Sequence, residues 1–399
     1  MLIVTLAACS DDPTATGPGE DAGWDIGPGA DTTEADGASE PIAAEHPDND
    51  SVVILVDQRE VQLTNGASEA IEFEVPANAV SVSIAVDGLR SESYGLKFWT
   101  GPDDFAFVPE GWDANGGQIC FRNCNNRIAG SEGAFAAIAP NNPDSILEAG
   151  AHRFAVSGMR IQGFSGTPSN ALVKVTVLAK LRAALPESGV LDLNIHFTGS
   201  NGWTAASAQS NPDFAALLAS VDTIYQTVGL RLGRVTYRDI DEDFQVLESI
   251  TGEGSDLMAM FSLSESNAMN AVNLFFVEEI NSPPPLAGKI LGIAGGVPGP
   301  PLLQGTARSG VAVGTSPQEG APAIANIVAH EIGHFLGLFH TTEHFSIPNY
   351  SPAHDPLPDT PNADTSYLMH AGGAGTTLSP WQGRVMLSNP WVSHTENTP

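Results

Sequence analysis

Five residues between positions 330 and 340 have the types and the spacing of a catalytic metal site. They form the pattern H-E-x-x-H-x-x-G-x-x-H, whose fixed positions are His330, Glu331, His334, Gly337 and His340. Histidines four residues apart lie on one face of a helix, so His330 and His334 can bind the same metal ion. Glu331 lies about 100° further round the helix, where it can reach a water molecule on that ion.

The ligand types indicate zinc and an open coordination position. Neutral imidazoles bind zinc at about 2.0–2.1 Å, and three protein ligands leave the fourth position to water, as a catalytic site requires. A structural site is instead closed by a fourth ligand, usually a cysteine, and no cysteine follows Cys124. We therefore predict one catalytic zinc ion on His330, His334 and His340, with Glu331 as the base.

The surrounding residues predict how this pattern is held in place. Gly337 should end the helix, because glycine can adopt a positive φ and turn the chain sharply. That turn lets His340 return to the metal from outside the helix. Apolar side chains recur with helical spacing on the side opposite the histidines and should bury the helix in a core: Ile324, Ile327, Val328, Phe335 and Leu336.

These residues resemble the metzincin metallopeptidases, whose second hallmark is a methionine turn beneath the zinc. The segment Ser366–His370 (SYLMH) resembles that turn, which implies that Met369 forms the base of the site. The resemblance further implies an α/β catalytic domain with a mixed twisted sheet, a backing helix and an active-site helix. It also implies hydrolysis of peptide bonds and an edge strand above the zinc that pairs with extended substrate, for which Gly310–Val313 and Gly292–Gly296 are candidates.

Within the metzincins, the likeness is to the pappalysin (cytophagalysin-like) group and covers roughly residues 187–391. It rests on Asp359–Pro361 (DTP), between the third histidine and the methionine turn, and on Leu378–Gln382 (LSPWQ) after that turn. The motif match implies relatedness at the level of the site. The sequence leaves open which group stabilises the oxyanion: Tyr367, His370 or another residue.

The pappalysin likeness also suggests a structural calcium site between the third histidine and the methionine turn. Its candidate ligands are Asp355, Asp359 and Thr360, because clustered hard oxygens are what Ca²⁺ prefers. The alternative is that this proline-rich stretch simply forms turns.

The charge of the chain argues against binding to nucleic acid or to an anionic membrane surface. The 399 residues include 16 Lys and Arg against 47 Asp and Glu, and the net charge is −31. Leu6–Cys9 (LAAC) resembles a bacterial lipobox, which implies an exported protein that is lipid-anchored at Cys9 or released outside the cell. The alternative is that this segment is a buried N-terminal strand and Cys9 an ordinary cysteine. The following tract, Ser10–Asp50, holds twelve acidic residues and no Lys or Arg, a composition that predicts a disordered tether.

Residues 51–182 alternate between apolar and polar side chains and predict an antiparallel β-sandwich. The period of two is clear in Ile71–Val75, Val80–Val86 and Leu172–Val177. Cys120 and Cys124 lie close together in a loop, and in an exported protein such a pair predicts a disulfide. The alternative is that one of the two cysteines occupies the fourth zinc position and keeps the site latent, as in some metzincins.

The segment Leu181–Ser188 is the predicted linker to the metallopeptidase domain, which spans residues 187–399. Strands are predicted at Val190–Phe197, Leu230–Tyr237 and Val272–Val277, and a helix at 211–229 should back the sheet they form. The Gly/Pro-rich stretch Ser282–Gly305 is predicted to be a loop. Three further histidines lack partner motifs and are predicted to be structural or exposed: His46, His152 and His196.

The sequence therefore predicts a zinc metalloendopeptidase that acts on protein or peptide substrates. The competing hypothesis is a binding lipoprotein whose metal site is degenerate or serves only structure. The presence of Glu331 argues against it, because a structural zinc ion has no use for a base. A third hypothesis, an adhesin that uses the sandwich for contacts, leaves the helix pattern unexplained.

Overall fold

The computed structural model describes residues 8–10, 37–38, 51–110, 120, 124–162, 165–266, 270–281, 289–315, 321–343, 353–362, 364–372 and 375–394. This part of the chain is a mixed α/β protein with several sheets, and strands outnumber helices. None of its helices combines the length and the hydropathy that crossing a membrane requires.

Twelve strands lie before residue 182 in the described part of the chain. They are β1 (Ala8–Ser10), β2 (Gly37–Ala38), β3 (Ser51–Gln62), β4 (Ile71–Val75), β5 (Ala79–Asp87), β6 (Ser93–Thr100), β7 (Ala106–Val108), β8 (Ser131–Glu132), β9 (Ala134–Ala139), β10 (Gly150–Gln162), β11 (Ser165–Pro168) and β12 (Leu172–Leu181). From β3 onwards they form two antiparallel sheets, ordered β3-β12-β5-β9 and β11-β10-β6-β7, with β4 on β10 and β8 on β6.

The two sheets share one apolar core, as the alternating pattern predicts. In β4, the residues at positions 71, 73 and 75 are buried and the two glutamates between them are exposed. Side chains from both sheets meet in this core, among them Ile84, Val175, Leu96 and Phe154. The period of two thus places one face of each strand inward, and the sheets form the predicted β-sandwich.

The rest of the chain forms a mixed sheet with helices against it. Its strands are β13 (Gly189–Phe197), β14 (Leu230–Asp239), β15 (Val246–Leu247), β16 (Val272–Val277), β17 (Glu279–Asn281), β18 (Lys289–Ala294), β19 (Val311–Gly314) and β22 (Val392–Ser393). Two further strands, β20 (Thr342–Glu343) and β21 (Ala353–His354), pair with each other in a separate sheet. The helices are α1 (Ala205–Ala208), α2 (Pro212–Gln226), α3 (Asp256–Ser262), α4 (Ala321–Phe335) and α5 (Pro380–Ser388). The main path of the sheet is β15-β17-β18-β19-β16-β13-β14-β2.

The predicted backing helix is confirmed as α2. Its N-terminus is capped by Asn211, whose side-chain oxygen accepts from the N–H groups of Asp213 and Phe214. The chain leaves the helix at Gly229, where φ is +81°. The helix packs on α4, and the Tyr225 hydroxyl donates to the Ala329 carbonyl at 2.8 Å. The sequence-predicted strands at 190–197, 230–237 and 272–277 are confirmed as β13, β14 and β16, which are parallel to one another.

One loop prediction was wrong, because part of the predicted loop is a strand. The stretch predicted as a loop, Ser282–Gly305, contains β18, which pairs antiparallel with β17 and with β19. Glycine lowers strand propensity, but the neighbouring strands supply the pairing that local propensity does not. Neither candidate for the edge strand lies at the end of the sheet, because β19 lies between β18 and β16 and β18 lies between β17 and β19. β17 pairs only with Lys289 and Ile290, however, and the side of Gly292 and Ile293 that faces away from β19 pairs with β1.

Two short segments from the first 50 residues pair with the mixed sheet: β1, at the end of the lipobox-like segment, and β2, in the predicted tether. Ala8–Ser10 runs antiparallel along β18, with Cys9 opposite Gly292, and Gly37–Ala38 pairs with β14. The remainder of the tract predicted as disordered lies outside the described residues. Unpaired backbone groups of a strand can form hydrogen bonds with any extended segment, whatever the side chains of that segment are. Amino-acid composition therefore does not predict such pairing.

The sandwich and the mixed-sheet half are joined through a buried lysine. Lys180, in β12, is fully buried, and its ammonium group donates to the main-chain carbonyls of Leu387, Asn389 and Val392. Nearby, the Ser81 hydroxyl donates to the Ser388 carbonyl at 2.5 Å. These carbonyls lie at the end of α5 and beyond it, where the helix has no further N–H groups to donate to them.

Replacing Lys180 with methionine is expected to lower the free energy of unfolding by about 3 kcal/mol. Methionine fills a similar volume but leaves three buried carbonyls without their charged donor. Urea unfolding measures the difference. Lys174→Met is the matched control, because Lys174 lies on the same strand and is exposed. Equal unfolding midpoints for the two variants would contradict this prediction.

Candidate metal centre

The pattern from His330 to His340 lies at the end of helix α4 and in the turn that follows. Gly337 has φ +110°, its N–H donates to the His334 carbonyl, and the Leu338 N–H donates to the Gly333 carbonyl. These two bonds form a Schellman motif, which ends the helix as predicted. The predicted apolar positions from Ile324 to Leu336 are all buried in the core. The turn brings His340 back towards the helix.

The structure brings the three predicted ligands together. The Nε2 atom of His340 lies 3.1 Å from that of His330 and 3.1 Å from that of His334. All three side chains are buried. Among the described residues, this is the one group of three or more His, Cys, Asp or Glu side chains whose ligand atoms converge on a common point. These three histidines could bind a metal ion.

The other ring nitrogen of each histidine has an acceptor of its own. His330 Nδ1 lies 2.6 Å from the Leu368 carbonyl, and His334 Nδ1 lies 2.6 Å from the Leu338 carbonyl. His340 Nδ1 lies 2.9 Å from Oε2 of Glu343. Because a carbonyl or carboxylate oxygen only accepts, each Nδ1 carries the proton. The Nε2 atom of each histidine is therefore unprotonated, and its lone pair points towards the Nε2 atoms of the other two histidines. A cation between the three nitrogens can bind all of them.

Burial keeps two of these imidazoles neutral. It lowers the pKa of His330 to about 3, and the neighbouring His340 and the more distant His370 add to this effect. Burial also lowers the pKa of His334 well below its usual value, with further contributions from His340 and His330. A metal ligand must be unprotonated at the coordinating nitrogen, so these shifts favour binding.

Met369 lies directly beneath helix α4. Its sulfur is 2.8 Å from the point that a Cβ atom on Gly333 would occupy, so a side chain at position 333 would require Met369 to shift. The Met369 carbonyl accepts from the Thr341 N–H at 2.8 Å, and the preceding Leu368 carbonyl accepts from His330. The turn at Met369 therefore fixes the ligand His330 through the Leu368 carbonyl, and it also fixes the chain that follows His340 through the Met369 carbonyl.

Glu331 is fully buried and lies against strand β18. A Cβ atom on Gly292 would lie 2.6 Å from Cγ of Glu331 and 2.8 Å from a methyl group of Ile327. The strand can approach the helix this closely only because position 292 is glycine. The predicted base thus lies on the same helix as two ligands and next to β18.

The two candidate oxyanion groups have different surroundings. The hydroxyl of Tyr367 donates to the Asp359 carbonyl at 2.9 Å, which directs it to that loop. His370 follows Met369 in the turn, is partly buried, and its Nδ1 accepts from the Gly372 N–H at 3.1 Å. It lies close enough to His330 to lower the pKa of that ligand.

The proposed calcium ligands make hydrogen bonds within the protein. One carboxylate oxygen of Asp355 accepts from the Thr360 hydroxyl at 2.5 Å and from the Leu357 N–H at 3.2 Å. Burial raises the pKa of Asp355 to about 6. One carboxylate oxygen of Asp359 accepts from the Trp381 N–H in the first turn of α5. These contacts are typical of turn and helix-end residues.

The remaining sequence-predicted residues lie away from the three histidines. Cys120 and Cys124 are joined in a disulfide that contributes to the sandwich core. His152 is buried in that core beside Trp99, and burial lowers its pKa. His196 is buried in β13 and stacks on Phe275, and burial lowers its pKa to about 3. His46 lies outside the described residues.

Sequence reasoning missed two charged residues beside the site. Glu343 contacts His340 but belongs to no recognisable pattern, and three residues of separation alone give no signal. Arg127, from the sandwich, lies 3.9 Å from Glu343 and is separated from it by more than 200 positions. The sequence contains nothing that links these positions to each other.

Comparisons with known proteins add little to what the geometry of the site shows. No protein-family model matches the chain, and no curated protein matches it. It is similar to metalloproteinase-II from Bacteroides fragilis, with 14% identity, a TM-score of 0.30, and coverage of 52% of this chain and 55% of that one. It is also similar to a family two carbohydrate esterase from Clostridium thermocellum, with 10% identity, a TM-score of 0.15, and coverage of 57% and 65%. Likenesses of this size support no conclusion about this chain.

Proposed function

We propose that this chain is a zinc-dependent endopeptidase that hydrolyses bonds in protein or peptide substrates. The observation that carries the proposal is the convergence of three buried Nε2 atoms whose Nδ1 atoms all have acceptors, on the helix that also carries Glu331. A purely structural site needs the ligands but not a buried carboxylate beside them.

The donor set fits zinc. Tetrahedral zinc with bonds of about 2.0–2.1 Å separates its ligand atoms by about 3.3–3.4 Å, and two of the Nε2 separations here are 3.1 Å. His330, His334 and His340 would hold the ion and leave a position open to solvent or substrate. When bound, zinc supplies Lewis-acid chemistry, which polarises the substrate carbonyl and lowers the pKa of water to about 7.

The other residues would move protons and stabilise charge. Glu331 would accept a proton from the attacking water and deliver it to the leaving amine, the role of a general base followed by that of a general acid. His370, on the turn next to the ligands, is the better placed of the two candidates to stabilise the oxyanion, because the Tyr367 hydroxyl donates to Asp359.

Strand β18 would position extended substrate next to Glu331. A peptide that adds to an exposed sheet edge gains main-chain hydrogen bonds without regard to its sequence. β17 covers only Lys289 and Ile290 of this strand, and Ala8–Ser10 pairs antiparallel with the same side of β18, with Cys9 opposite Gly292. A substrate strand would take the position of that segment. A metzincin-like arrangement, with Met369 as the base of the site, is part of the same proposal.

A peptide-library digestion tests the function. Purified full-length protein would be analysed for zinc and incubated with the library, with and without a zinc chelator. We expect about one zinc ion per chain, because the three histidines form one site. Cleavage should stop when the zinc is chelated and return when zinc is added. Bound zinc without cleavage would instead favour the binding lipoprotein with a degenerate site.

Replacing Gly292 with alanine is expected to lower kcat by about 100-fold while the zinc content stays the same. The added methyl group displaces Glu331 or Ile327, and a displacement of about 1 Å in a catalytic group costs about that much. Gly314→Ala is the matched control, because a Cβ atom there makes only ordinary contacts at 3.4 Å or more. Similar turnover in the two variants would contradict the proposed place of Glu331.

A calcium ion held by Asp355, Asp359 and Thr360 is a separate proposal. It is supported by the cluster of carboxylate and hydroxyl oxygens in this loop. Thermal melts in excess calcium and in a calcium-selective chelator test it. An unchanged melting temperature would remove calcium from the proposal and leave these residues with their hydrogen-bonding roles.

Export and a lipid anchor at Cys9 are likewise proposed from the sequence of Leu6–Cys9. The acidic tract that follows would act as the tether, and treated as about 40 flexible residues it would span about 35 Å. Fractionation of bacterial cells that express the natural gene, with mass spectrometry of Cys9, tests the anchor. Soluble protein with an unmodified Cys9 would exclude it.

A further inference from the structure

A sandwich residue, Arg127, reaches the surroundings of the third histidine. Its side chain is only 4% exposed although it belongs to the loop that precedes β8. One guanidinium nitrogen lies 3.9 Å from Oε1 of Glu343, and the guanidinium carbon lies 4.3 Å from the centre of the Phe339 ring. Phe339 immediately precedes His340 in the chain, and Glu343 follows it by three residues. Arg127 therefore contacts the chain on both sides of this ligand.

Glu343 connects Arg127 to His340. Its second oxygen, Oε2, lies 2.9 Å from His340 Nδ1. Each carboxylate oxygen thus faces one partner, the imidazole on one side and the guanidinium on the other. Glu343 is itself buried, and a buried carboxylate needs such partners to remain charged.

The loop that carries Arg127 is fixed by buried amides of the sandwich. The Arg127 N–H donates to the side-chain oxygen of Asn141, and the Arg127 carbonyl accepts from its amide nitrogen at 2.6 Å. Asn126 donates to the Ile138 carbonyl and accepts from the Ser145 hydroxyl. The backbone of Arg127 is therefore held in place from within the sandwich.

The third ligand depends on this support more than the other two do. His330 and His334 lie in helix α4 and donate to main-chain carbonyls of the mixed-sheet half. His340 lies beyond the helix, and its acceptor is a side chain with several rotatable bonds. An acceptor of this kind is held in place only if its other contacts fix it.

We propose that Arg127 is a positioning residue for the metal ligand His340, acting through Glu343, so that the sandwich completes the metal centre. This inference rests on the proposed function in that it takes the three histidines as zinc ligands. It assigns the sandwich a permanent part in the site, because removing it would take away the partner of a buried carboxylate. Outer partners of metal ligands typically change metal affinity by about 10–100-fold.

Zinc affinity in the full-length protein tests the proposal independently of turnover. Competition with a chromophoric chelator is expected to show about 10–100-fold weaker binding in Arg127→Met, and the visible spectrum of the cobalt-substituted variant should shift. Arg90→Met is the matched control, because Arg90 is also a sandwich arginine that reaches the other half, where it donates to the Met258 carbonyl and the Ser262 hydroxyl. This control should bind zinc as the wild type does.

Three further variants show whether Arg127 acts through Glu343. Glu343→Gln should weaken zinc binding, and adding Arg127→Met to it should cause little further loss. Arg127→Lys, which keeps the positive charge, should recover most of the affinity and also provides the comparison if Arg127→Met does not fold. Wild-type affinity and an unchanged cobalt spectrum in the Arg127 variants would overturn the proposal, as would losses that multiply in the double variant.

The outcomes separate this proposal from the proposed function. A wild-type protein that binds zinc but cleaves no peptide overturns the endopeptidase assignment, and the affinity comparison still decides the role of Arg127. A wild-type protein that binds no zinc overturns both. Full peptidase activity together with equal zinc affinity in the Arg127 and Arg90 variants overturns only the inference about the sandwich.

Discussion

Replacing Glu331 with alanine is expected to lower kcat by about 10²–10⁴-fold, the usual contribution of a general acid–base group. Zinc should remain bound, because the three converging nitrogens come from other residues. The carboxylate is fully buried beside β18, so no neighbouring exposed group can take over its proton transfer at that position. Metal analysis and a peptidase assay on the same sample measure both effects.

The isosteric variant Glu331→Gln serves as the control for packing. It keeps the volume against Gly292 but cannot accept the proton, so its loss of turnover should be about as large as that of the alanine variant. Full activity in either variant would refute the assignment of Glu331 as the base. Loss of zinc from either variant would show that Glu331 supports the metal rather than the chemistry.

Replacing His334 with alanine is expected to remove both the bound zinc and the peptidase activity. Loss of one of three ligands should cost more than the roughly 100-fold that the loss of an outer partner costs. His354→Ala is the matched control, because that histidine lies nearby in β21 but is not among the converging nitrogens. Zinc content by metal analysis distinguishes the two variants.

A His334→Ala protein that retained stoichiometric zinc would place the metal elsewhere. A His354→Ala protein that lost its zinc would extend the ligand set to a residue that the geometry leaves out. Unfolding midpoints of both metal-free variants show whether any loss comes from the ligand or from the fold.

The sequence by itself determined the helical part of the site. His330, Glu331 and His334 are fixed relative to one another by helix geometry alone, so their spacing was sufficient to predict their arrangement. Gly337 was predictable for the same reason, since a positive φ after a helix is a local requirement that glycine meets. The alternation in β4 is also a local periodicity, and the structure has it as predicted.

Only the tertiary structure decided which strand borders the site. The sequence offered two glycine-containing segments, and their local propensities could not separate them. Strand pairing places β18 between β17 and β19, and the close approach of Gly292 to Glu331 joins positions 39 residues apart. The pairing partners of a strand are set by the whole sheet, whereas its own residues specify only a weak preference.

The tertiary structure also decided what surrounds the ligands. Glu343 orients His340, Arg127 contacts Glu343 from the sandwich, and Lys180 ties the same sandwich to the end of α5. Sequence patterns report neighbours along one element because backbone geometry repeats there. Contacts between residues that are hundreds of positions apart depend on how separate sheets pack together, and no repeating spacing in the sequence encodes them.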